Sequence, residues 1–165
     1  MPREGVFVRV LRGGPVAAGD RLEVLSGAFR VAVLTASDKG SQGQREDVSG
    51  QKTIRDIVEG ELGWPVVAYT VVPDDRETIT RQLAAWADEG RVDLVLTTGG
   101  TGFSPRDVTP DATLDAADRE APGLAEAIRA HGLTRSPRAM LSRSVAAIPG
   151  RALIHQPAGQ PQGGA

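Results

Sequence analysis

"VDLVLTTGGTGFSPRDVTPDAT", residues 92–113, joins an apolar run to a loop of three glycines and then to a helix start. The run is short, β-branched and without alternation, as in a strand buried on both faces. Glycine needs no Cβ room, so Gly99, Gly100 and Gly102 suit either an anion held by backbone amides or a tight strand–helix turn. Those two readings stand about even on the glycines alone. Thr109-Pro110-Asp111 then reads as an N-cap, a proline in the first turn and an acidic first turn.

Outward from this stretch the same alternation repeats. "RVAVLTA" (30–36) and "PVVAYTVV" (65–72) are two more apolar strands. Between them Ile54, Ile57, Val58 and Leu62 recur at helical spacing, with Ser49 as cap and Gly63 as stop. Ile79, Leu83 and Trp86 share one face of a helix that Gly90 closes, and Trp86 reads as core. "PGLAEAIRAHG" (122–132) is a further amphipathic helix. "SVAAIPGRALI" (144–154) reads as two short strands about Pro149-Gly150. Strands alternating with helices predict an α/β fold in three layers, a mostly parallel sheet with helices on both faces. Ligands of such sheets bind beyond the carboxyl ends of the strands, which directs attention to the segments after residues 36, 72 and 98.

Composition narrows the chemistry. The 165 residues carry a net charge of -2 and a pI near 5.7, so no basic face for nucleic acid is expected. There is no cysteine and there are two histidines, which excludes disulfides and thiolate metal sites. No apolar run approaches the ~20 residues of a membrane span, and no signal peptide is read at the N-terminus. A cytoplasmic location fits these features.

Each strand end offers candidates with two readings. Asp107 would serve an Asx-turn, or would hold Mg²⁺ beside bound phosphates. Arg106 would offset phosphate charge, or would be solvated. Asp74 with Glu77 has capping-box spacing, so Asp74 is a helix cap or a site carboxylate, a role it could share with Asp75. Ser37, Asp38 and Lys39 end the first strand before a polar loop that covers a ligand or is merely solvated. His131 suits a helix C-terminal turn. Ser142-Arg143 has the look of a surface loop.

In combination the segments are more specific. "LTASDKG", "REDVSG", "VPDD", "LTTGGTG", "PRDVTPDAT", "DREAPGLAEAIR" and "LSRSVA", in this order over residues 30–154, resemble the MoaB/Mog family of molybdenum cofactor biosynthesis, most of all its molybdopterin adenylyltransferases. The resemblance implies a homotrimer that transfers AMP from ATP to the terminal phosphate of molybdopterin, with Mg²⁺ present and pyrophosphate released, ahead of a separate molybdenum-insertion enzyme. It places the two necessary aspartates on Asp74 and Asp107. Phosphate or pterin-side contacts fall on Thr98, Gly99, Gly100, Thr101, Gly102 and Arg106, and further substrate contacts on Ser37, Asp38 and Ser142. Two other readings remain: a MoaB-type protein that binds molybdopterin without catalysis, and a CinA-like nucleotide-acting domain. A Val in place of Gly100 is expected to weaken ligand binding more than folding.

The ends depart from this pattern. Residues 1–29 resemble the closing strands of a MOSC domain and read as a remnant or linker. At 155–165, "HQPAGQPQGGA" replaces the family's "INLPGSPKGAR", a change that a single-base insertion would produce. The tail is expected to be aberrant and, without the family's following helix, to leave the chain poorly soluble or weakly active, a truncated homologue.

Overall fold

The computed structural model describes residues 27–44 and 52–156. The MOSC-like segment up to residue 26, the Ser49 cap and tail residues 157–165 lie outside them. Six strands form one sheet: β1 Val31–Ala36, β2 Val66–Val72, β3 Leu94–Thr98, β4 Arg119–Glu120, β5 Ala146–Ile148 and β6 Leu153–His155, in the order β2-β1-β3-β6-β5-β4. The β2-β1-β3-β6 block is parallel, β5 is antiparallel to β6, and β4 is antiparallel to β5. The reversal comes from the tight turn at Pro149-Gly150, which leaves no room for a crossover helix.

All six residues of β1 are buried, which explains its unbroken apolar run. Alternate side chains serve opposite faces. Ala32, Leu34 and Ala36 pack with Ile79, Leu83 and Trp86 of α2 (Arg76–Asp88) and Ala112 of α3 (Thr109–Asp115). Val31 and Val33 pack with Val58, Ile54 and Trp64 on the other side. The three layers are therefore present, and Trp86 is core.

The helix on the second face differs from expectation. Its turns over Asp56–Glu61 are widened, with the Leu62 amide donating to the Ile57 carbonyl five residues back at 3.1 Å. Wider turns rotate successive side chains less per residue, so a stripe set by ordinary helical spacing is dispersed. Val58 and Ile54 reach the sheet, whereas Ile57 and Leu62 are 43% and 49% exposed. Further along, α4 (Pro122–Leu133) runs one residue past the stop expected at Gly132.

At the amino end of the sheet Arg30 fastens β1 to β3. Its backbone amide and Nε donate to Asp93 Oδ2 at 3.0 and 2.9 Å, and Nη2 donates to Oδ1 at 3.0 Å. With the register set there, Thr35 pairs with Thr98 at the opposite end. The carboxyl ends of β1 and β3 thus lie level, and that is where the candidate site forms.

The first two residues of the expected tail are packed. Gln156 is fully buried and satisfied: Nε2 donates to Thr113 Oγ1 at 3.2 Å, and Oε1 accepts from the Val145 amide at 3.3 Å. His155 is buried beside Leu96, and neither ring nitrogen has a hydrogen-bond partner. Burial pushes its pKa from 6.5 down to about 4. The folded protein therefore holds this ring neutral where an unfolded chain would already bind a proton. Stability from this source is complete above pH 6.5 and drains away as pH falls towards 4, by about 3 kcal/mol at most. Melting temperatures taken from pH 7.5 to 4.5 should fall more steeply for the natural chain than for His155→Leu, which fills the same apolar slot. Parallel curves for the two proteins would show that His155 is not the acid-sensitive group.

Candidate functional site

The strand order places the reversal of winding direction between the parallel strands β1 and β3: the first crossover leads to β2 on one side, and the next returns to β3 on the other. Loops leaving such a point diverge and open a crevice. Ser37 and Asp38 follow β1, Asp74 follows β2, and Thr98 ends β3 with Gly99 to Gly102 after it.

The β1 and β2 ends are tied reciprocally. The Asp38 amide donates to Asp74 Oδ2 at 3.0 Å, and the Asp74 amide donates to Asp38 Oδ1 at 3.0 Å. Ser37 caps the short turn α1 (Asp38–Ser41), its Oγ accepting from the Gly40 amide at 3.1 Å. Helix α2 is capped by Asp75, whose Oδ2 accepts from the Thr78 amide at 2.9 Å. The capping-box reading of Asp74 is therefore corrected by one position. Asp75 has the extended backbone that a cap needs, and this leaves the Asp74 carboxylate to bond the Asp38 amide beside Gly100.

Desolvation, and then repulsion from Asp107, raise the pKa of Asp74 from its ordinary value. That repulsion means Asp107 is electrostatically close, although 33 residues separate the two in sequence. Asp107 also makes the local turn, since its Oδ2 accepts from the Ser104 amide at 2.8 Å. This bond runs three residues back along the chain, so the turn it holds is not the Asx-turn expected from the sequence. Arg106 is 70% exposed and ion-pairs with Asp38.

The glycines make room chiefly for the protein's own atoms. A Cβ on Gly99, which has φ +89°, would lie 2.1 Å from the Ala36 carbonyl oxygen. On Gly100, with φ +58°, it would lie 2.6 Å from Thr109 Oγ1 and 3.6 Å from Asp74 Oδ1, and on Gly102 it would lie 2.8 Å from Asp107 Oδ2. The loop is tight so that Asp74, Asp107 and Thr109 can converge. This revises the expectation for Gly100→Val, which would strain the fold itself.

Thr109 and Arg143 were assigned other duties by sequence. Thr109 is not the cap: Val108 holds that position, and Thr109 is fully buried in the first turn of α3 with a hydroxyl that has no partner. Its nearness to Gly100 depends on tertiary folding, so spacing along the chain gave no signal for it. Arg143 leaves its apparent surface loop to bond with the Thr101 carbonyl, the Asp107 carbonyl and Asp111. Ser142 comes to the site's edge through this neighbour, its own Oγ accepting from the Ser144 amide at 3.2 Å. His131 lies in the last turn of α4, as expected.

Comparison with known proteins identifies the family of the chain. Residues 32–158 match the family described as "Probable molybdopterin binding domain". The chain is 41% identical over 135 residues to a Helicobacter pylori (strain J99) protein named molybdopterin adenylyltransferase, covering 81% of this chain and 76% of that one. A protein of the same name from Escherichia coli K12 is 42% identical over 135 residues, covering 81% and 69%. Among solved structures, the molybdopterin biosynthesis enzyme MoaB of Thermus thermophilus superposes with a TM-score of 0.71 at 48% identity, covering 79% of this chain and 82% of that one. With its sheet order, its glycine loop and this similarity over residues 32–158, the chain belongs to the molybdopterin-binding family.

Proposed function

We propose that this protein is a molybdopterin adenylyltransferase: it transfers AMP from ATP to the terminal phosphate of molybdopterin and releases pyrophosphate. The observation that carries the reading is the convergence of Asp74 and Asp107 on the glycine loop, in a chain whose relatives bear that name. In the reaction an oxygen of the molybdopterin phosphate attacks the α-phosphorus of ATP. The bond from that phosphorus to the β-phosphate bridging oxygen breaks, and its electrons leave with pyrophosphate. Both reactants are polyanions, so the task is positioning and charge neutralisation.

Two repelling carboxylates, one of them partly desolvated, fit a hard divalent cation such as Mg²⁺. Among the described residues no group of three His, Cys, Asp or Glu side chains gathers to hold a metal. Mg²⁺ keeps several waters and takes one or two carboxylates plus substrate phosphates. Asp74 and Asp107 would hold it, and it would neutralise charge on the reacting phosphates. Arg106, exposed and paired with Asp38, can exchange that partner for a phosphate. Amides of Gly99 to Gly102 with the Thr98 and Thr101 hydroxyls line the β3 end, and Ser37, Asp38 and Ser142 border the pterin side. The same reading carries a homotrimeric assembly, a cytoplasmic setting and a downstream molybdenum-insertion enzyme. No helix among the described residues is long and apolar enough to cross a membrane.

Incubating the purified chain with ATP, Mg²⁺ and molybdopterin tests the proposal. Pyrophosphate should appear in step with adenylyl-molybdopterin and only when both substrates are present. Tight molybdopterin binding with no pyrophosphate would establish the binding-only MoaB-type reading instead.

A further inference from the structure

We infer that Arg143 is a positioning residue for adenylyl transfer, a clamp that fixes the Asp107 loop against α3; this rests on the function proposed above. Three segments meet on this one residue. Its backbone amide donates to the Thr101 carbonyl at 3.1 Å, which fastens the glycine loop. Its Nη1 donates to the Asp107 carbonyl at 3.0 Å. Its Nη2 lies 2.8 Å from each oxygen of Asp111, in the first turn of α3.

The Asp107 loop needs such an anchor. Phe103 to Arg106 are exposed, and the bonds between Asp107 and Ser104 stay within that same excursion. Bonds inside a loop shape it without fixing it relative to the sheet, and the outward ion pair of Arg106 with Asp38 rests on a side chain that is 70% exposed and screened by water. Arg143 connects its carboxyl end to elements that are themselves held. The backbone on either side of Arg143 is tied down by Arg129 of α4, which donates to the Ser142 carbonyl at 3.2 Å and the Ser144 carbonyl at 2.9 Å. Ser144 Oγ in turn donates to the carbonyl of buried Gln156 at 2.5 Å.

The chemistry requires arginine. A planar guanidinium can serve a carboxylate and a carbonyl at once in fixed directions, whereas a lysine ammonium offers one mobile point charge. The side chains of Arg143 and Asp111 are 35% and 34% exposed, so water does not dominate the pair. Arg143 thus spends its donors on protein carbonyls and Asp111, while exposed Arg106 remains the cation suited to meet a phosphate.

Arg143→Lys and Asp111→Asn in the full-length chain test the clamp by two independent measurements. Amide hydrogen exchange of the ligand-free protein should accelerate about tenfold over residues 101–108 while β1 and β3 exchange as in the natural chain. In the pyrophosphate assay Arg143→Lys should lose about 100-fold in kcat with the KM for ATP and for molybdopterin nearly unchanged, because a misplaced carboxylate impairs the transition state more than binding. The double variant should be little worse than either single one. Unchanged exchange at 101–108 would overturn the clamp, and faster exchange throughout the sheet would make Arg143 a general stabiliser. A raised KM at constant kcat would make it a substrate contact. If the natural chain itself releases no pyrophosphate, the proposed function fails and the positioning role with it, while the exchange measurement still decides whether the clamp exists.

Discussion

Asp74→Asn and Asp107→Asn are each expected to lower adenylyl transfer by roughly a thousandfold, the scale on which removal of one preorganised electrostatic group acts. Neither should unfold the protein. Asn at position 74 keeps an oxygen to accept from the Asp38 amide, the bond that joins the β1 and β2 ends. The cap of α2 is Asp75, so its contribution is untouched. Desolvation and the Asp107 charge already penalise the ionised form of Asp74. The linkage follows: a carboxyl whose folded pKa is raised stabilises the fold below its unfolded pKa, and that contribution is lost as pH rises through the folded one. Removing its charge therefore leaves melting at neutral pH within ~3 °C of the natural chain. Pyrophosphate release and thermal melting on the same preparations check both halves. Near-normal turnover in either variant would remove that aspartate from the reaction. A large drop in melting temperature for Asp74→Asn would return it to a structural role.

The largest expected effect on stability belongs to Gly99→Ala. The added methyl would sit 2.1 Å from the Ala36 carbonyl oxygen and 3.1 Å from its carbon, on a backbone with φ +89°. No rotamer relieves a clash at Cβ, and the obstacle is the backbone of β1, a strand paired on both sides. The cost should exceed ~4 kcal/mol, a large part of the 5–15 kcal/mol that holds an ordinary domain together. The variant is expected to be insoluble or unfolded at room temperature. Gly150→Ala is the control: its φ is +53° with no atom within 4 Å of the new Cβ, so the penalty is that of backbone conformation alone, about 1–2 kcal/mol. Circular dichroism and melting of the two proteins distinguish close packing from backbone strain. A Gly99→Ala protein as stable as the Gly150→Ala one would mean that β1 and β3 do not approach as described.

What the sequence determined by itself is the layered sheet, and with it the end where ligands of such sheets are expected. Apolar runs at 31–36, 66–72 and 94–98 need cover on both faces, and the helix stripes between them supply it, because local periodicity is set by the chain's own geometry. The strand-end rule then pointed to Ser37, Asp38, Asp74 and Asp107. Tertiary structure decided the rest. Asp74 and Asp75 are neighbours with the same chemistry, and only the extended backbone of Asp75 at the start of α2 made one the cap and left the other for the site. Gly99 is glycine because Ala36, 63 positions earlier, lies against it. Thr109 lost its expected capping role to a buried place under Gly100, and Arg143 left a nondescript loop to hold Asp107 and Asp111. Each depends on which atoms meet across the sheet's carboxyl edge. A spacing along the chain encodes neighbours on one helix or strand, whereas contacts between loops from different strands are fixed only when the strands have taken their order and register.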